Sequence, residues 1–223
     1  MAYILAIETT TKNCSVALFD DAKQLALKEL VSEGYSHAEK LTIFIKEVLS
    51  QGKISINNLN AIAISRGPGS YTGLRIGTST AKGLCYSLDI PLIAISTLKA
   101  MALGISKNYD FPLYCPMIDA RRMEVYSGIY DSENNEIREA GADVVGVSTY
   151  AEYLKNEVLF FGDGALKCAD IISNENANFI EWYPSAKDIR TLALQKYLNN
   201  DFEDVAYFEP FYLKDFLAGK KKS

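Results

Sequence analysis

Glu8 and the three threonines that follow it are the first residues whose types and spacing could do chemistry. They come directly after an apolar run at Tyr3–Ile7, which is typical of a buried strand. A carboxylate at a strand end can hold a metal ion, and backbone amides in the next turn can hold phosphate. The sequence therefore predicts a candidate nucleotide or phosphate turn at Glu8, Thr9, Thr10 and Thr11, with a plain strand end as the alternative.

A second candidate is the glycine-rich segment Gly67–Gly77, which joins a predicted strand to a predicted helix. It does not match the P-loop pattern, but its glycines permit positive φ angles and a close approach of other backbone. Gly73, Gly77 and Ala81 follow one another at intervals of four, so they form a stripe of small residues on one helix face. We predict that this stripe packs against a helix of a partner protein, with internal packing on the sheet as the alternative.

His37 is the only histidine of the chain, and its surroundings argue against metal or triad chemistry. Leu41 stands four residues further on, where a second histidine would face the same way. A Ser–His–Asp or Cys–His arrangement would have to use His37, and no nucleophile is marked beside it. We therefore predict no catalytic residue, no metal and no cofactor. Turns at Asp119–Arg122 and Gly162–Gly164 could each bind a ligand, but a structural role explains them better.

The elements that position these residues follow from hydrophobic periodicity. Ser36–Glu39 forms a capping box that opens a helix with one apolar face. In chain order the first half is predicted to contain strands at 3–9, 13–20 and 23–31, a helix from 36, a strand at 62–64, a helix at 73–88, a strand at 91–95 and a helix capped by Thr97. A three-stranded meander followed by strand–helix units predicts a mixed sheet with helices on both faces, as in the ribonuclease-H-like fold.

The second half is less regular, and it fits a degenerate second copy of the same fold. Strands are predicted at 113–119, 123–131 and 157–161, and helices at 148–156, 165–173 and 186–199. We predict two lobes, residues 1–97 and 98–223, with the end of the chain free to pack back on the first lobe. The fold class is α/β, with mixed sheets flanked by helices.

Charge limits the partners of this 223-residue chain, because 28 acidic side chains outnumber 23 basic ones and the formal net charge is −5. A protein that binds nucleic acid strongly by itself usually has a basic face, since phosphate neutralisation supplies most of the affinity. The basic residues cluster only in Lys220–Lys222, which we expect to be a solvated tail. We therefore predict that the chain meets RNA only through another protein.

Cysteine usage and hydropathy indicate the compartment. The four cysteines are widely spaced in apolar stretches and form no C-x-x-C pair, which predicts buried reduced thiols. No stretch approaches the roughly 20 apolar residues of a transmembrane helix, and no basic flank marks a secretory signal. We expect a soluble cytoplasmic protein with no membrane contact.

Taken together, these motifs resemble the bacterial TsaB (YeaZ) family, and the resemblance spans almost the whole chain. The matching segments are 4–11, 14–18, 65–77, 81–84, 118–126, 162–164 and 210–214. The segment 65–77 is the most specific of them. The resemblance implies two actin-like lobes and participation in making N6-threonylcarbamoyladenosine in tRNAs that read codons beginning with adenine.

The resemblance also implies a division of labour between subunits. A larger relative, TsaD, transfers the threonylcarbamoyl group and carries a His-x-x-x-His metal pair on its first helix. The aligned segment here keeps His37 but has Leu41, so the resemblance implies an accessory subunit. Glu8 stands where the family more usually has aspartate, which argues against nucleotide binding in this lobe.

These inferences give the following expectations for partners. The chain should pair with a TsaD-like threonylcarbamoyltransferase through its first two helices, a TsaE-like ATPase should join the pair, and the chain alone should be a homodimer. The predicted interface residues are His37, Leu41, Gly67, Pro68, Gly69, Gly73, Arg75, Gly77 and Ala81. Two rival functions stay open: an actin-like kinase or carbamoyltransferase that acts alone, and a homodimeric structural protein outside the pathway.

Overall fold

The first sheet combines a meander with two strand–helix units. The computed structural model describes residues 2–21, 23–32 and 37–214. The strands are β1 (Ile4–Glu8), β2 (Asn13–Phe19), β3 (Gln24–Val31), β4 (Ala61–Gly67) and β5 (Leu92–Ser96), in the order β3-β2-β1-β4-β5. The β1–β2 and β2–β3 pairs are antiparallel, whereas β1–β4 and β4–β5 are parallel. The predicted meander and mixed sheet are confirmed.

Three α-helices belong to this part of the chain. They are α1 (His37–Gly52), α2 (Tyr71–Leu88) and α3 (Thr97–Ile105). The apolar face predicted for α1 is buried on the sheet, and the predicted cap Ser36 lies outside the described residues. The cap of α3 is Ser96, whose Oγ accepts from the Lys99 amide at 3.4 Å. Thr97, predicted as the cap, is buried instead, and its Oγ1 accepts from the Gly67 amide at 3.1 Å.

The second sheet repeats the topology of the first. Its strands are β6 (Leu113–Asp119), β7 (Glu124–Asp131), β8 (Glu136–Val144), β9 (Val158–Phe161) and β10 (Ala177–Ile180), in the order β10-β9-β6-β7-β8. The first three strands again form an antiparallel meander, and β9 and β10 again add in parallel. Both halves thus have the ribonuclease-H-like strand order of the actin-like fold.

The helices predicted for the second half are largely wrong. Residues 147–155 form successive turns, and 165–173 contain only a 3₁₀ turn at Leu166–Cys168. The segment 186–199 is helical, but it divides into a 3₁₀ turn at Ala186–Ile189 and a helix, α4 (Arg190–Leu198). Strands β8 and β10 were not predicted from the sequence.

Each face of the first sheet has its own apolar layer. On one face α1 and α2 cover Leu5, Ile7 and Val16. On the other face the 3₁₀ turn and α4 return from beyond the second sheet and cover Ile4 and Ala6. Helix α3 contacts both sheets, so a lobe boundary between residues 97 and 98 stays a prediction. Within the described residues, no helix is long and apolar enough to cross a membrane.

Candidate partner-binding site

The turn after β1 is closed by the protein itself. Glu8 is 1% exposed, and its Oε1 accepts from both the amide and the hydroxyl of Thr10 at 2.6 Å. Its Oε2 accepts from the Ser65 hydroxyl. Burial raises the pKa of the Glu8 carboxyl, although these hydrogen bonds act in the opposite direction. Both carboxylate oxygens of Glu8 therefore accept hydrogen bonds from within the fold.

The threonines of this turn are equally engaged. Thr9 donates from Oγ1 to the Gly73 carbonyl at 2.8 Å, and the Thr10 carbonyl accepts from the Ser70 amide at 2.7 Å. Thr9, Thr10 and Thr11 are each at most 2% exposed. The loop before α2 thus packs against this turn, which favours the plain strand end; phosphate binding at Glu8–Thr11 stays a prediction.

The glycine-rich turn makes the predicted close approach, but to its own chain. Gly67 has φ +109°, and a Cβ there would lie 2.8 Å from the Phe211 carbonyl oxygen. A Cβ on Gly69 would lie 2.5 Å from the backbone oxygen of Thr10. Pro68 between them is buried. Glycine is required at both positions because backbone, which cannot move aside, fills the space.

The stripe of small residues on α2 faces the sheet and not a partner. A Cβ on Gly73 would collide with the Thr9 carbonyl, and one on Gly77 would collide with the Thr9 hydroxyl. Ala81 is fully buried in the layer under α1 and α2. The interface prediction for Gly73, Gly77 and Ala81 is therefore corrected to internal packing, because these residues let α2 lie close to the end of β1.

His37 and Leu41 also point inward. His37 is fully buried, and its Nε2 lies 2.8 Å from the Thr11 carbonyl, while burial lowers the pKa of its imidazole. Leu41 is 1% exposed in the same apolar layer. Neither side chain can touch a partner in this arrangement. Within the described residues, no group of three His, Cys, Asp or Glu side chains could hold a metal ion.

Arg75 is the predicted interface residue that the fold leaves exposed. Its guanidinium lies over the Tyr71 ring, 4.2 Å from the centroid. The Tyr71 ring contacts Tyr212 near the end of the described chain, with centroids 5.1 Å apart. Arg75 thus stands on the outer side of α2, opposite the buried stripe.

The outer sides of α1 and α2 expose, besides the predicted Arg75, residues that were not predicted from the sequence. Ile43 on α1 is 47% exposed and Tyr86 on α2 is 86% exposed. Gly83, between Arg75 and Tyr86 on the same face, has open space where its Cβ would stand. The sequence could have indicated this surface, because the spacing of Arg75, Gly83 and Tyr86 places all three on one side of a helix. The glycine stripe was considered instead. We call Ile43, Arg75, Gly83 and Tyr86 the outer face.

The turns at Asp119–Arg122 and Gly162–Gly164, at the ends of β6 and β9, contact each other. The Asp119 amide donates to Asp163 Oδ1 at 2.9 Å, and burial raises the pKa of Asp163 to about 6. Lys167 contacts the Asp119 carboxylate and donates to the Glu124 carbonyl at 2.7 Å. Gly162 has φ +131° and lies against the Met117 backbone. These contacts hold the ends of β6 and β9 together.

Comparison with known proteins identifies the family of this fold. The chain is 32% identical over 226 residues to the tRNA threonylcarbamoyladenosine biosynthesis protein TsaB of Escherichia coli (strain K12), covering 98% of this chain and 97% of that protein. The chain belongs to the TsaB family. The TsaB of Bacillus subtilis (strain 168) is 34% identical, over 71% of this chain and 70% of its own length.

Two further comparisons agree with this assignment to the TsaB family. A solved structure of YeaZ from Pseudomonas aeruginosa superposes with a TM-score of 0.80 at 25% identity, covering 96% of this chain and all of that chain. A family model described as "TsaD: tRNA N6-adenosine threonylcarbamoyltransferase" matches residues 32–222. The predicted resemblance and fold class are confirmed.

Proposed function

We propose that this chain is a non-catalytic partner subunit in the formation of threonylcarbamoyladenosine in tRNA. One observation carries the proposal: the turn that would handle phosphate is sealed by α2, while the outer faces of α1 and α2 expose Ile43 and Tyr86. A turn packed in this way leaves its own side chains without access to a substrate. Exposed apolar and aromatic side chains beside an arginine are typical of protein interfaces.

The proposed partner is a TsaD-like threonylcarbamoyltransferase that docks on the outer face. The match of a TsaD family model to residues 32–222 supports a common ancestry of the two subunits. A helix of the partner could approach α2 closely at Gly83, where no side chain intervenes. In this proposal a TsaE-like ATPase joins the pair, and the chain alone forms a homodimer.

Charge and cysteines support the rest of the proposal. With a net charge of −5 the chain should hold tRNA only through the assembled complex. All four cysteines are buried free thiols, which fits the reducing cytoplasm that the proposal gives the protein. For the rival, an actin-like kinase or carbamoyltransferase that acts alone, the sealed Glu8–Thr11 turn is the main objection.

Reconstitution separates the two functions. The purified chain is given the threonylcarbamoyl donor and unmodified tRNA, with and without a purified TsaD-like enzyme, and the modified nucleoside is measured by mass spectrometry. We expect product only when both proteins are present, and tRNA binding by the lone chain weaker than about 1 μM at physiological salt. Turnover by the lone chain, with its trace contaminants removed by affinity depletion, would establish the rival.

A further inference from the structure

A second surface feature lies away from the outer face, in a cleft between the two sheets. The cleft has a volume of about 580 Å³, which is in the range of small-molecule sites. Its walls come from the end of β5 and the start of α3, from β7 and β8, and from α4. It opens at the carboxyl ends of the parallel strands β4 and β5, where open α/β sheets commonly bind ligands.

The apolar part of the cleft is formed by β5, α4 and the segment that follows α4. Ala94 and Ile95 contribute from β5, Leu192 from α4, and the Phe211 ring from near the end of the described residues. The Phe211 amide donates to the Arg66 carbonyl at 2.7 Å, which fixes this ring at the cleft wall. The Arg66 guanidinium lies 5.8 Å from the ring centroid. An apolar side chain of a ligand would find a matching surface here.

The charged part of the cleft contains both signs, and they do not neutralise each other. Arg66 and Lys99 line it together with Glu136 and Glu139. Within the described residues none of these four forms an ion pair. Lys196, also in the lining, is different because Asp201 pairs with it at 3.0 Å. Two cations and two anions thus share one cleft without pairing one another.

This charge pattern selects among ligand classes. A nucleotide or an RNA strand would bring phosphates towards Glu136 and Glu139, at an electrostatic cost. A free cation would meet Arg66 and Lys99. An uncharged apolar molecule would use the walls but gain nothing from the four charges. A zwitterion can place its carboxylate on the cations and its ammonium group on the carboxylates.

We propose that this cleft binds a zwitterionic ligand, an α-amino acid or a short peptide, with an apolar side chain against Phe211. Tyr130 adds a polar group at the inner wall: it is 1% exposed and its hydroxyl lies 3.5 Å from Glu136 Oε1. The volume exceeds that of one amino acid, so a dipeptide should fill the cleft better. The proposal is independent of the role in tRNA modification, because the outer face takes no part in it.

Calorimetric titration of the full chain tests the proposal. The probes are L-phenylalanine, the dipeptide glycyl-L-phenylalanine, and N-acetyl-phenylalanine amide, which keeps the ring but has neither charge. We expect a Kd of about 1 mM or tighter for a zwitterionic probe, and at least about tenfold weaker binding for the blocked compound. Tighter binding of the dipeptide would assign the cleft to peptides, and equal or weaker binding would assign it to free amino acids.

Matched variants locate the binding. Lys99→Met and Glu139→Gln each remove one charge from the cleft and should each weaken zwitterion binding by about fivefold or more. Lys155→Met and Glu157→Gln make the same changes at exposed positions outside the cleft and should leave binding unchanged. Thermal melting confirms that all four variants are folded. Absence of binding by both zwitterions up to about 10 mM, or equal loss in the control pair, would overturn the proposal.

Discussion

The two faces of the first sheet are covered in different ways. One face is covered by α1 and α2, which are close to the strands in sequence, and the glycines of α2 bring it against the turn after β1. The other face is covered by Ala186–Ile189 and α4, which come back after the whole second sheet. Helices α1 and α2 keep an exposed outer side. The segment Ala186–Ile189 and α4 instead pack a late part of the chain against its first strands.

Both coverings bury polar groups of the first sheet and its turns. Beneath α2, Thr9 and Thr10 have partners for the polar groups that the helix covers. On the other face, Asp188 is 4% exposed, and its Oδ2 has no hydrogen-bond partner within the described part of the chain. Thr78 Oγ1, which α2 buries, likewise has no hydrogen-bond partner within the described residues, so neither covering is fully bonded. The returning segment differs in that its unpaired atom belongs to an ionisable carboxyl, whose charge is unfavourable when buried.

The largest expected effect is from bulk under α2. Gly77→Leu should lower the free energy of unfolding by about 3 kcal/mol or more, because the new side chain meets the Thr9 hydroxyl and the Ile64 side chain. Gly83→Leu is the matched control on the outer side of the same helix, where a Cβ meets open space. It should change stability by less than about 1 kcal/mol. Urea unfolding measures both, and similar destabilisation by the two would contradict the orientation of α2.

A smaller effect, with opposite sign, is expected on the other face. Burial raises the pKa of Asp188 from 3.8 to about 6, so the folded state binds a proton more tightly than the unfolded chain. The contribution of Asp188 is therefore most favourable below about pH 4 and is lost as the pH rises through 6. Asp188→Asn should stabilise the protein by about 2 kcal/mol near pH 8.

The pH dependence distinguishes this cause from better packing. Unfolding of Asp188→Asn and wild type is compared near pH 8 and near pH 3, where the difference should nearly disappear because wild-type Asp188 is then largely protonated in both states. Nearby charges from other elements, Lys107, Glu29 and Glu8, remain the same in both proteins. A gain of equal size at both pH values would show that the charge of Asp188 is not its cause.

The smallest stability effect concerns the last described segment, which lies along α2. Lys82 donates from Nζ to the carbonyls of Ala206 and Phe208 at 3.1 and 3.0 Å. Lys82→Met should cost about 1 kcal/mol, because two partly exposed hydrogen bonds are lost. Limited proteolysis should then cut faster near 203–209, and the exposed Lys46→Met serves as the control. Unchanged cleavage would mean that other contacts hold this segment.

The α1–α2 side could be predicted from the sequence because its signals are local. The apolar face of α1 and the glycine turn before α2 lie within single elements, and both elements were placed correctly. The direction in which Gly73, Gly77 and Ala81 face was predicted wrongly. A spacing of four defines a helix face but does not indicate whether the sheet or a partner covers that face. Only the position of Thr9, far away in sequence, decides this.

The layer formed by Ala186–Ile189 and α4 could be predicted less well, since its contacts join residues that are distant in sequence. The helical character of 186–199 was correct, but the pairing of Asn13 with the Pro184 carbonyl at 3.0 Å has no local signal. The false helix at 148–156 has a local cause: Tyr150 and Leu154 are both buried at a spacing of four, within a run of turns. Strand β8 was missed because its exposed residues give no clean alternation.

The most direct test of the account is whether the outer face binds the partner. The double variant Ile43→Arg/Tyr86→Glu is compared with Ile137→Arg/Tyr207→Glu, since Ile137 and Tyr207 have nearly the same exposed fractions, 52% and 84%, elsewhere on the surface. Co-purification with a TsaD-like enzyme and the Kd of the pair are measured after melting confirms the fold. We predict at least about tenfold weaker binding for the first variant only. Wild-type binding by that variant, or equal loss in the control, would contradict the account.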